Sequence, residues 1–562
     1  MAKLSAADRL DSWKEIASFL KRGVRTVQRW EREEGLPVHR HQHRKLGSVY
    51  AFESEVAKWW NSRRPSLEGT AEAPEPGRQP KRKLKLLVLP FENLSGYANQ
   101  EYLSDGLTEE MITRLARLQP NRLAVVARTT AMGYKATQKR VTEISQELAL
   151  DYLLEGSVRR AGSQVRITAQ LIKGNDETHL WAQAYDRGMS DVLALQSEVA
   201  ARIADEIHLA LAPPERARLR PVPRTDPEAY EHFLKGRYHV NHMTPQELGA
   251  SIPWFQRAVE KDPGFALAYA SLANAYSLLA IAPFDAVPPH QAMPKATEAV
   301  ARALQLDEML PEAHAALGVV RHHYEWDWKG AEEAYQRAIE LNPAYPGAHL
   351  RHAWLLLALG KTSAALKEVH AAEKIAQEVD PYLLVVIRAT RAAAFYFARE
   401  YDKAITECND ALDLDASYFL LHYLLGRCYA RQGKVAQAIQ TLMERRASPP
   451  VSARSAGPVH KWGEIPLMDT GLAHAYAVSG RKEEAETALA QLEKLAQTRY
   501  VPATYMGILY AGLNDRAQAF AWLEKAFEER ADGLTLLNVD PLVDGLRDDP
   551  RFKSLVKRIG LE

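Results

Sequence analysis

Cysteine is almost absent from this chain of 562 residues, which contains only Cys408 and Cys428. Two cysteines cannot build a disulfide framework or a four-ligand zinc site, so we expect both to be small, buried, apolar side chains. Long apolar runs are also absent. No uncharged stretch approaches the roughly 20 residues of a membrane-spanning helix, and the first residues lack the apolar core of a signal peptide. These absences predict a cytoplasmic protein with no membrane partner.

An excess of one charge is missing as well, because 72 basic residues face 71 acidic ones and the net charge is +1. Any binding to nucleic acid must therefore come from a local basic patch. The sequence contains neither G-x-x-x-x-G-K-[ST] nor G-x-G-x-x-G, so a phosphate-cradling loop is not supported. The length predicts several domains, since single cores rarely exceed about 250–300 residues.

A recurring helical pattern organises the second half of the chain. In the stretch 328–343, Ala331, Tyr335 and Ala338 share one helical face, and Pro343 stops the helix. The small residues allow a second helix to come close, and the aromatic ring fills the space beside them. The same spacing returns at Ser251/Phe255/Ala258, Ala404/Cys408/Ala411, Ala485/Leu489/Leu492 and Ala519/Leu523/Ala526.

This pattern resembles the tetratricopeptide repeat, a helix–turn–helix unit of about 34 residues. The resemblance covers residues 228–545, with about eight repeats, and implies an all-α superhelix in which each repeat is buried against its neighbours. A linker at 213–227 is predicted to precede the repeats. A helix at 546–562 is predicted to cap the last apolar face. Inserts are expected at 281–293 and 447–465.

The resemblance also implies a concave groove for a protein or peptide partner. The family's groove positions correspond here to a set that is more apolar than charged: Asn274, Val319, Trp354, Ala393, Arg427 and His474. Two occupants remain open at this point. Either an apolar segment of a partner binds in the groove, or the chain's own α/β domain at 84–212 packs inside it.

The N-terminal residues 1–64 show a different pattern. Ser12 and Glu15 are spaced as a capping box, and a second helix is predicted from 24 to 34, ended by Gly35. On that helix, Arg25, Gln28, Arg29 and Arg32 share the outer face. A β-hairpin is predicted to turn at 45–48, and a third helix to cover 53–62. Between positions 21 and 45, eight basic residues face three acidic ones.

This order of elements resembles the winged helix-turn-helix of excisionase and MerR-type regulators, on the motif Trp13-x-x-Ile16-Ala17 followed by residues 24–30. The resemblance implies binding to double-stranded DNA. It assigns the major groove to Arg25, Thr26, Gln28, Arg29 and Arg32, and phosphate contacts on the wing to Arg40, Arg44 and Lys45. The alternative is a solvated charged face on a small protein-binding domain. MerR regulators dimerise through a coiled coil that is missing here, so a homodimer stays open.

His39, His41 and His43 alternate along the predicted wing and share a face. They could bind a metal, but no suitable fourth ligand lies nearby, so contacts with phosphate or bases are favoured. We predict no metal site and no cofactor.

A Pro-, Gly- and Glu-rich linker is predicted at 65–83, followed by an α/β domain at 84–212. Strands are predicted over 84–91, 123–128, 152–160, 164–173 and 179–185, and helices over 101–118, 141–150 and 192–211. Three short motifs resemble the TolB amino-terminal-like domain: Pro90-Phe91-x-Asn93, residues 105–110 and residues 154–158. In bacterial regulators this family often lies between a DNA-binding domain and tetratricopeptide repeats.

Asp105, Glu109 and Glu110 lie on the first helix of this domain without a histidine or cysteine beside them, and a solvated helix face is the favoured interpretation. We expect no catalysis, so the domain would be a ligand sensor or a dimerisation module.

Together these patterns predict a multidomain, cytoplasmic, non-enzymatic DNA-binding transcription regulator. Its α/β domain would sense or transmit a signal, and its repeats would recruit a protein partner. The competing hypotheses are a scaffold that never contacts DNA and, with least support, an enzyme within 84–212.

Overall fold

The computed structural model describes residues 9–20, 24–40, 49–68, 83–95, 100–116, 118–119, 122–162, 164–207, 225–379, 383–416, 418–447 and 466–562. The chain divides into two compact units, residues 1–82 and residues 83–562. Among the described residues, no helix is both long and apolar enough to cross a membrane.

The first unit is a small core of three helices against a short antiparallel sheet of order β1-β3-β2. Its elements are β1 (Arg9–Leu10), α1 (Trp13–Phe19), α2 (Val24–Glu34), β2 (His39–Arg40), β3 (Val49–Phe52) and α3 (Glu53–Glu68). Ile16, Val27 and Val56 are fully buried at its centre. Gly35 has a left-handed φ of 68°, as its predicted role in ending α2 requires.

Three details of this unit differ from prediction. The N-terminal strand β1 was not predicted, and α3 continues to Glu68, past the expected end at 62 and into the predicted linker. The Ser12 hydroxyl accepts a hydrogen bond from the backbone N–H of Glu15, but the Glu15 carboxylate bonds the N–H of Asp11 rather than that of Ser12. The predicted hairpin turn at 45–48 lies outside the described residues.

The second unit begins with a six-stranded mixed sheet. In the order β6-β4-β7-β8-β9, β4 pairs parallel with β6 and β7, β7 through β9 are antiparallel, and β5 pairs with β7. The strands are β4 (Leu84–Val88), β5 (Glu92–Asn93), β6 (Leu123–Val125), β7 (Tyr152–Ala161), β8 (Gln164–Lys173) and β9 (His179–Gly188). The helices are α4 (Glu101–Ala116), α5 (Arg128–Met132), α6 (Val141–Leu148) and α7 (Val192–Glu206).

The five predicted strands and three predicted helices are all present, with some ends shifted: β7 and β9 run past the predicted ends at 160 and 185, and the three helices stop short. The strands expected over 84–91 and 123–128 end at Val88 and Val125, and the two-residue β5 and the short α5 were not predicted. The helix expected to reach 211 ends at Glu206, and residues 208–224 lie outside the described part.

Eight helix pairs follow among the described residues. They are α8 (Pro227–Val240) with α9 (Pro245–Lys261), α10 (Ala266–Leu279) with α11 (Pro289–Leu306), α12 (Pro311–Val320) with α13 (Trp328–Leu341), α14 (Pro346–Ala358) with α15 (Thr362–Val379), α16 (Leu383–Phe397) with α17 (Tyr401–Leu412), α18 (Phe419–Arg431) with α19 (Val435–Ala447), α20 (Pro466–Val478) with α21 (Lys482–Ala496), and α22 (Ala503–Gly512) with α23 (Arg516–Glu529).

Small residues set the spacing inside each pair. Ala331, Tyr335 and Ala338 are all 0% exposed, as the repeat pattern predicts. A Cβ atom on Gly318 would lie 2.4 Å from the ring of Tyr335, so this close approach of α12 to α13 requires glycine. Cys408 and Cys428 are free and fully buried, which confirms their predicted apolar role.

After the last pair, the chain forms two 3-10 turns (Asp532–Leu536 and Pro541–Leu546) and then α24 (Pro550–Arg558). Phe552 and Leu555 of α24 pack in one apolar cluster with Phe520 and Leu523 of α23. Trp328, at the start of α13, donates from its indole nitrogen to the carbonyl of residue 559 at 2.7 Å. The C-terminal segment therefore contacts the third repeat as well as the last.

Candidate functional site

The predicted DNA-contacting helix exists as α2, and its inner face is well defined. Val27 and Trp30 are buried, while Thr26 and Gln28 are half-buried. The side chains of the predicted contacts Arg25, Arg29, Arg32, Arg44 and Lys45 lie outside the described part. Arg40 lies in β2 with 61% of its side chain exposed, and its guanidinium is 2.8 Å from a carboxylate oxygen of Glu31 on α2.

His39 is held within the unit. Its Nε2 lies 2.7 Å from Oε2 of Glu55, and its ring stacks on Tyr50 with 5.2 Å between centroids. His41 and His43 lie outside the described residues. Within the described ranges, no group of three or more His, Cys, Asp or Glu side chains could hold a metal ion.

The carboxylates of α4 are not on a solvated face, and that interpretation is wrong. Asp105 and Glu110 are buried, and only 15% of the Glu109 side chain is exposed. Cations from distant segments cover them. Lys135 lies 2.7 Å from Asp105, and Arg237 of α8 pairs with both glutamates. Glu109 and Glu110 therefore fasten the α/β domain to the first repeat helix, whereas Asp105 and Lys135 pair within the α/β domain.

The positive charges at this junction favour the ionised form of Glu109. Burial by itself raises the pKa of Glu109, but Arg237 and Arg128 outweigh it, so the pKa lies below its ordinary value. Asn241 adds a hydrogen bond of 2.9 Å to the same carboxylate. At Asp105 the balance is reversed: burial raises the pKa in spite of its lysine partner.

A second set of polar contacts joins the same two segments. The Tyr102 hydroxyl of α4 and the Arg160 guanidinium of β7 both donate to Glu231 of α8, each at 2.8 Å. Burial opposes ionisation of Glu231, but the bonds from Lys235, Tyr102 and Arg160 lower its pKa to about 2. Because the contacts come from both α4 and β7, the sheet and the first helix pair form one body.

A cavity of about 750 Å³ lies beside this junction, between α4 and the first helix pairs. Its lining includes Glu110, Arg237, Glu312 and Arg351. Arg351 donates to the side-chain oxygen of Asn274 at 2.6 Å. Asn274, a predicted groove residue, therefore takes part in an internal hydrogen bond.

The chain's own C-terminal segment covers the predicted groove residue Arg427. Arg427 is 6% exposed and pairs with Asp540, which is 8% exposed. The guanidinium also donates to the Tyr396 hydroxyl at 3.1 Å and lies over the rings of Tyr396 and Tyr423, 4.4 and 5.0 Å from their centroids. Arg427 therefore makes all of these contacts within the chain itself.

The other predicted groove residues are also largely internal. Val319, Ala393 and His474 are buried, and Trp354 is half-buried with its ring against Phe397. Burial, helped by the positive charge of Arg427, lowers the pKa of His474 to about 4. Val319 and Trp354 line an internal cavity, and Ala393 and His474 are buried in the packing of the helices.

Sequence reasoning missed three further polar contacts at the opposite side of this space. Asp532 lies 2.5 Å from Nδ1 of His323 and accepts from the backbone N–H of Ala282 at 3.0 Å. The Tyr505 hydroxyl donates to buried Asp285 at 2.5 Å, and burial raises the pKa of Asp285 to about 7. The second and third repeats are thereby joined to the eighth and to the C-terminal segment.

The repeat array therefore closes on itself, and the chain's own residues 532–540 occupy the predicted groove. This occupant is neither of the two considered from sequence. Its contacts join residues more than one hundred positions apart, for example 113 between Arg427 and Asp540. A local sequence pattern carries no signal for such pairs.

Comparison with known proteins gives two family matches. Residues 82–202 match the family described as HilA/YgeH-like transcriptional regulator, second domain. Residues 325–384 match a tetratricopeptide repeat family. The repeat prediction is confirmed there, whereas the winged helix-turn-helix and the TolB-like resemblance stay predictions.

Among curated proteins, the chain is 35% identical over 279 residues to a putative adenylate cyclase 3 of Rhizobium meliloti, covering 48% of this chain and 46% of that one. It is 22% identical over 366 residues to the transcriptional regulator HilA of Salmonella typhimurium, covering 63% and 58%. The chain thus spans about half the length of the curated relatives it matches.

Among solved structures, a tetratricopeptide repeat protein from Parabacteroides merdae matches with a TM-score of 0.36 and 14% identity, covering 52% of this chain and all of that one. The repeat protein YrrB matches with a TM-score of 0.23 and 19% identity, covering 34% and 88%. The family matches together indicate a domain similar to the second domain of HilA/YgeH-like regulators, joined to tetratricopeptide repeats.

Proposed function

We propose that this chain is a transcription regulator that binds double-stranded DNA through residues 1–64 and recruits a protein partner through its repeats. The observation that carries the proposal is the match of residues 82–202 to the second domain of HilA/YgeH-like transcription regulators. In this proposal the α/β domain transmits a signal to the repeats, because α4 is bonded directly to α8. A homodimer remains part of the proposal.

The geometry of α2 supports a DNA-binding role for the first unit. Val27 and Trp30 define the buried side of the helix. At 100° per residue, positions 25, 29 and 32 fall on the opposite side. Arginines at such positions match the donors that read guanine in the major groove. Arg40 is 61% exposed and pairs with Glu31, and ion pairs near the surface contribute about 1 kcal/mol or less, so a phosphate can replace the glutamate as its partner.

The test is binding of the full chain to a pool of genomic DNA fragments that includes its own upstream region, at two salt concentrations. Arg25→Ala and Arg29→Ala are compared with Lys329→Ala, whose side chain is 91% exposed on a repeat helix. Loss of a base contact costs about 1–3 kcal/mol, so each arginine variant should bind its best fragments about tenfold more weakly or worse. The lysine control should bind as the wild type does.

Selective binding that weakens steeply with salt and depends on both arginines would support the proposal, since affinity falls with each phosphate neutralised. No enriched fragment, or binding that is the same in all three variants, would favour the alternative of a scaffold that contacts only proteins. A protein captured by the repeats would then identify its partner.

We propose a non-enzymatic protein although one relative is named a putative adenylate cyclase. The shared stretch covers 46% of that relative, so its activity does not carry over to this chain. Incubation of the full chain with ATP and Mg²⁺ or Mn²⁺ tests this point directly. Formation of cyclic AMP above a heat-inactivated control would refute it.

A further inference from the structure

A cavity of about 300 Å³ lies inside the closed repeat array, separate from the larger cavity at the α/β junction. Its walls come from the second to the eighth helix pairs and from the C-terminal residues 532–540. Much of the lining is apolar or aromatic and includes Val319, Trp354, Val386, Phe419 and Leu420. Pockets of this size and lining are typical of sites for small organic molecules.

Two polar groups in the cavity wall have no hydrogen-bond partner within the described residues. His322 is 1% exposed, and neither of its ring nitrogens is bonded. Thr504 is 2% exposed, and its hydroxyl is not bonded either. Most buried polar groups in proteins are paired, so each exception requires an explanation. A bound molecule that exchanges hydrogen bonds with these side chains supplies one.

The acidic groups and the arginines of the cavity wall are already bonded within the chain. Arg427 pairs with Asp540, and Asp532 lies 2.5 Å from His323. Asp285 accepts from Tyr505, and Arg351 donates to the side-chain oxygen of Asn274. Burial holds the pKa of His322 well below its ordinary value, so this imidazole is neutral. Burying a charged ligand among the apolar and aromatic side chains of this wall would cost its hydration energy.

We propose that this cavity binds a small, uncharged organic molecule with a mainly aromatic or apolar body and one hydrogen-bonding pole directed at His322 and Thr504. A dry cavity of about 150 Å³ holds one benzene ring, so about twice that volume suits two or three rings. The proposal makes the repeats a sensing site. It does not depend on whether residues 1–64 bind DNA.

The test uses N-phenyl-1-naphthylamine, a neutral three-ring fluorophore with one N–H donor, on the full chain. Its sulfonated analogue 1-anilinonaphthalene-8-sulfonate has the same rings and a negative charge, so the pair isolates the effect of charge. Val386→Trp and Leu420→Trp each fill the cavity from a half-buried position. His322→Phe removes one of the two side chains that would hydrogen-bond to the ligand. His370→Phe is the matched control, because the His370 side chain is 80% exposed.

We expect saturable one-to-one binding of the neutral probe to the wild type, with the sulfonate at least tenfold weaker. Each tryptophan variant should weaken binding of the neutral probe at least tenfold and His322→Phe at least threefold, with no change in His370→Phe. If both tryptophan variants fail to fold, the proposal is tested by comparing the affinities of His322→Phe and His370→Phe for the neutral probe. The absence of saturable binding, equal affinity in wild type and filled variants, or preference for the sulfonate would overturn the proposal.

Discussion

The contact between Arg427 and Asp540 offers a sharp test of how the repeat array closes. Asp540→Ala removes the partner of a guanidinium that is 6% exposed. Leaving a buried charge unpaired costs about 3–5 kcal/mol. The same change removes the acceptor for the backbone N–H of Leu542, at 2.9 Å, which adds about 1 kcal/mol as a lost cap. The remaining contacts of Arg427 with Tyr396 and Tyr423 compensate in part. We expect a net loss of about 3 kcal/mol.

Hydrogen exchange of the full chain is the suitable assay, because repeat arrays open in parts and do not always unfold in one step. A loss of about 3 kcal/mol raises the open population of the C-terminal segment more than one hundredfold. Backbone amides in 532–546 should therefore exchange about one hundred times faster in Asp540→Ala. Amides in the first helix pair, α8 with α9, should exchange as in the wild type.

Two further variants complete the test. Asp548→Ala removes an exposed carboxylate from the same segment and should leave exchange unchanged. The double variant Arg427→Met with Asp540→Leu replaces the pair by apolar side chains, and such replacements are often neutral. It should restore most of the protection lost in Asp540→Ala. If Asp540→Ala matches Asp548→Ala, or if the double variant exchanges as fast as the single one, the buried pair does not hold the segment.

Three other predictions concern stability. Gly318→Ala places a Cβ atom 2.4 Å from the ring of Tyr335 and should lower the free energy of unfolding by about 2–3 kcal/mol in a denaturant titration. Gly249→Ala, whose added Cβ atom meets nothing within 4 Å, should be neutral or stabilising by up to about 1 kcal/mol in the same titration. Asp285 has a raised pKa of about 7, whereas its ordinary pKa of 3.8 applies in the unfolded chain, so the folded chain holds a proton that the unfolded chain releases. Its contribution to stability is greatest below about pH 4 and is lost as pH rises to 7, and Asp285→Asn should flatten that loss between about pH 4 and 7, unlike wild type. His474 has a lowered pKa of about 4, so its contribution to the free energy of unfolding is present above about pH 6.5 and is lost as pH falls toward 4. His474→Gln should reduce this acid sensitivity. Equal stability in acid for the variant and the wild type would contradict the assignment.

The repeats could be predicted from sequence because their signal is local. Ala331, Tyr335 and Ala338 lie within eight positions, and the contacts that bury them come from the adjoining helices of the array. Each repeat is buried against its neighbours, so the same short pattern must recur along the chain. This recurrence gave both the helix pairs and their number.

The burial of the acidic residues of α4 could not be predicted from its sequence. Eleven of its sixteen residues are buried, and Ser104, Asp105, Thr108 and Glu110 are among them. A helix that is apolar all round is a buried helix, but these polar residues interrupt the apolar ones, so α4 gives no such signal. The partner could not be predicted either, because Arg237 lies 127 and 128 positions beyond the two glutamates.

The closure by the C-terminal segment also changes what a partner must do to use the groove. A protein segment that binds at Arg427 has to displace Asp540, so its observed affinity is reduced by the free energy that holds the C-terminal residues in place. A partner that displaces Asp540 without supplying a carboxylate leaves Arg427 unpaired, which costs about 3 kcal/mol and weakens binding more than one hundredfold. A partner that binds outside the groove does not have to displace Asp540, so its affinity is not reduced in this way. The geometry therefore favours recruitment on the outer surface of the repeats, unless the partner brings its own carboxylate for Arg427 and additional contacts that the C-terminal segment lacks.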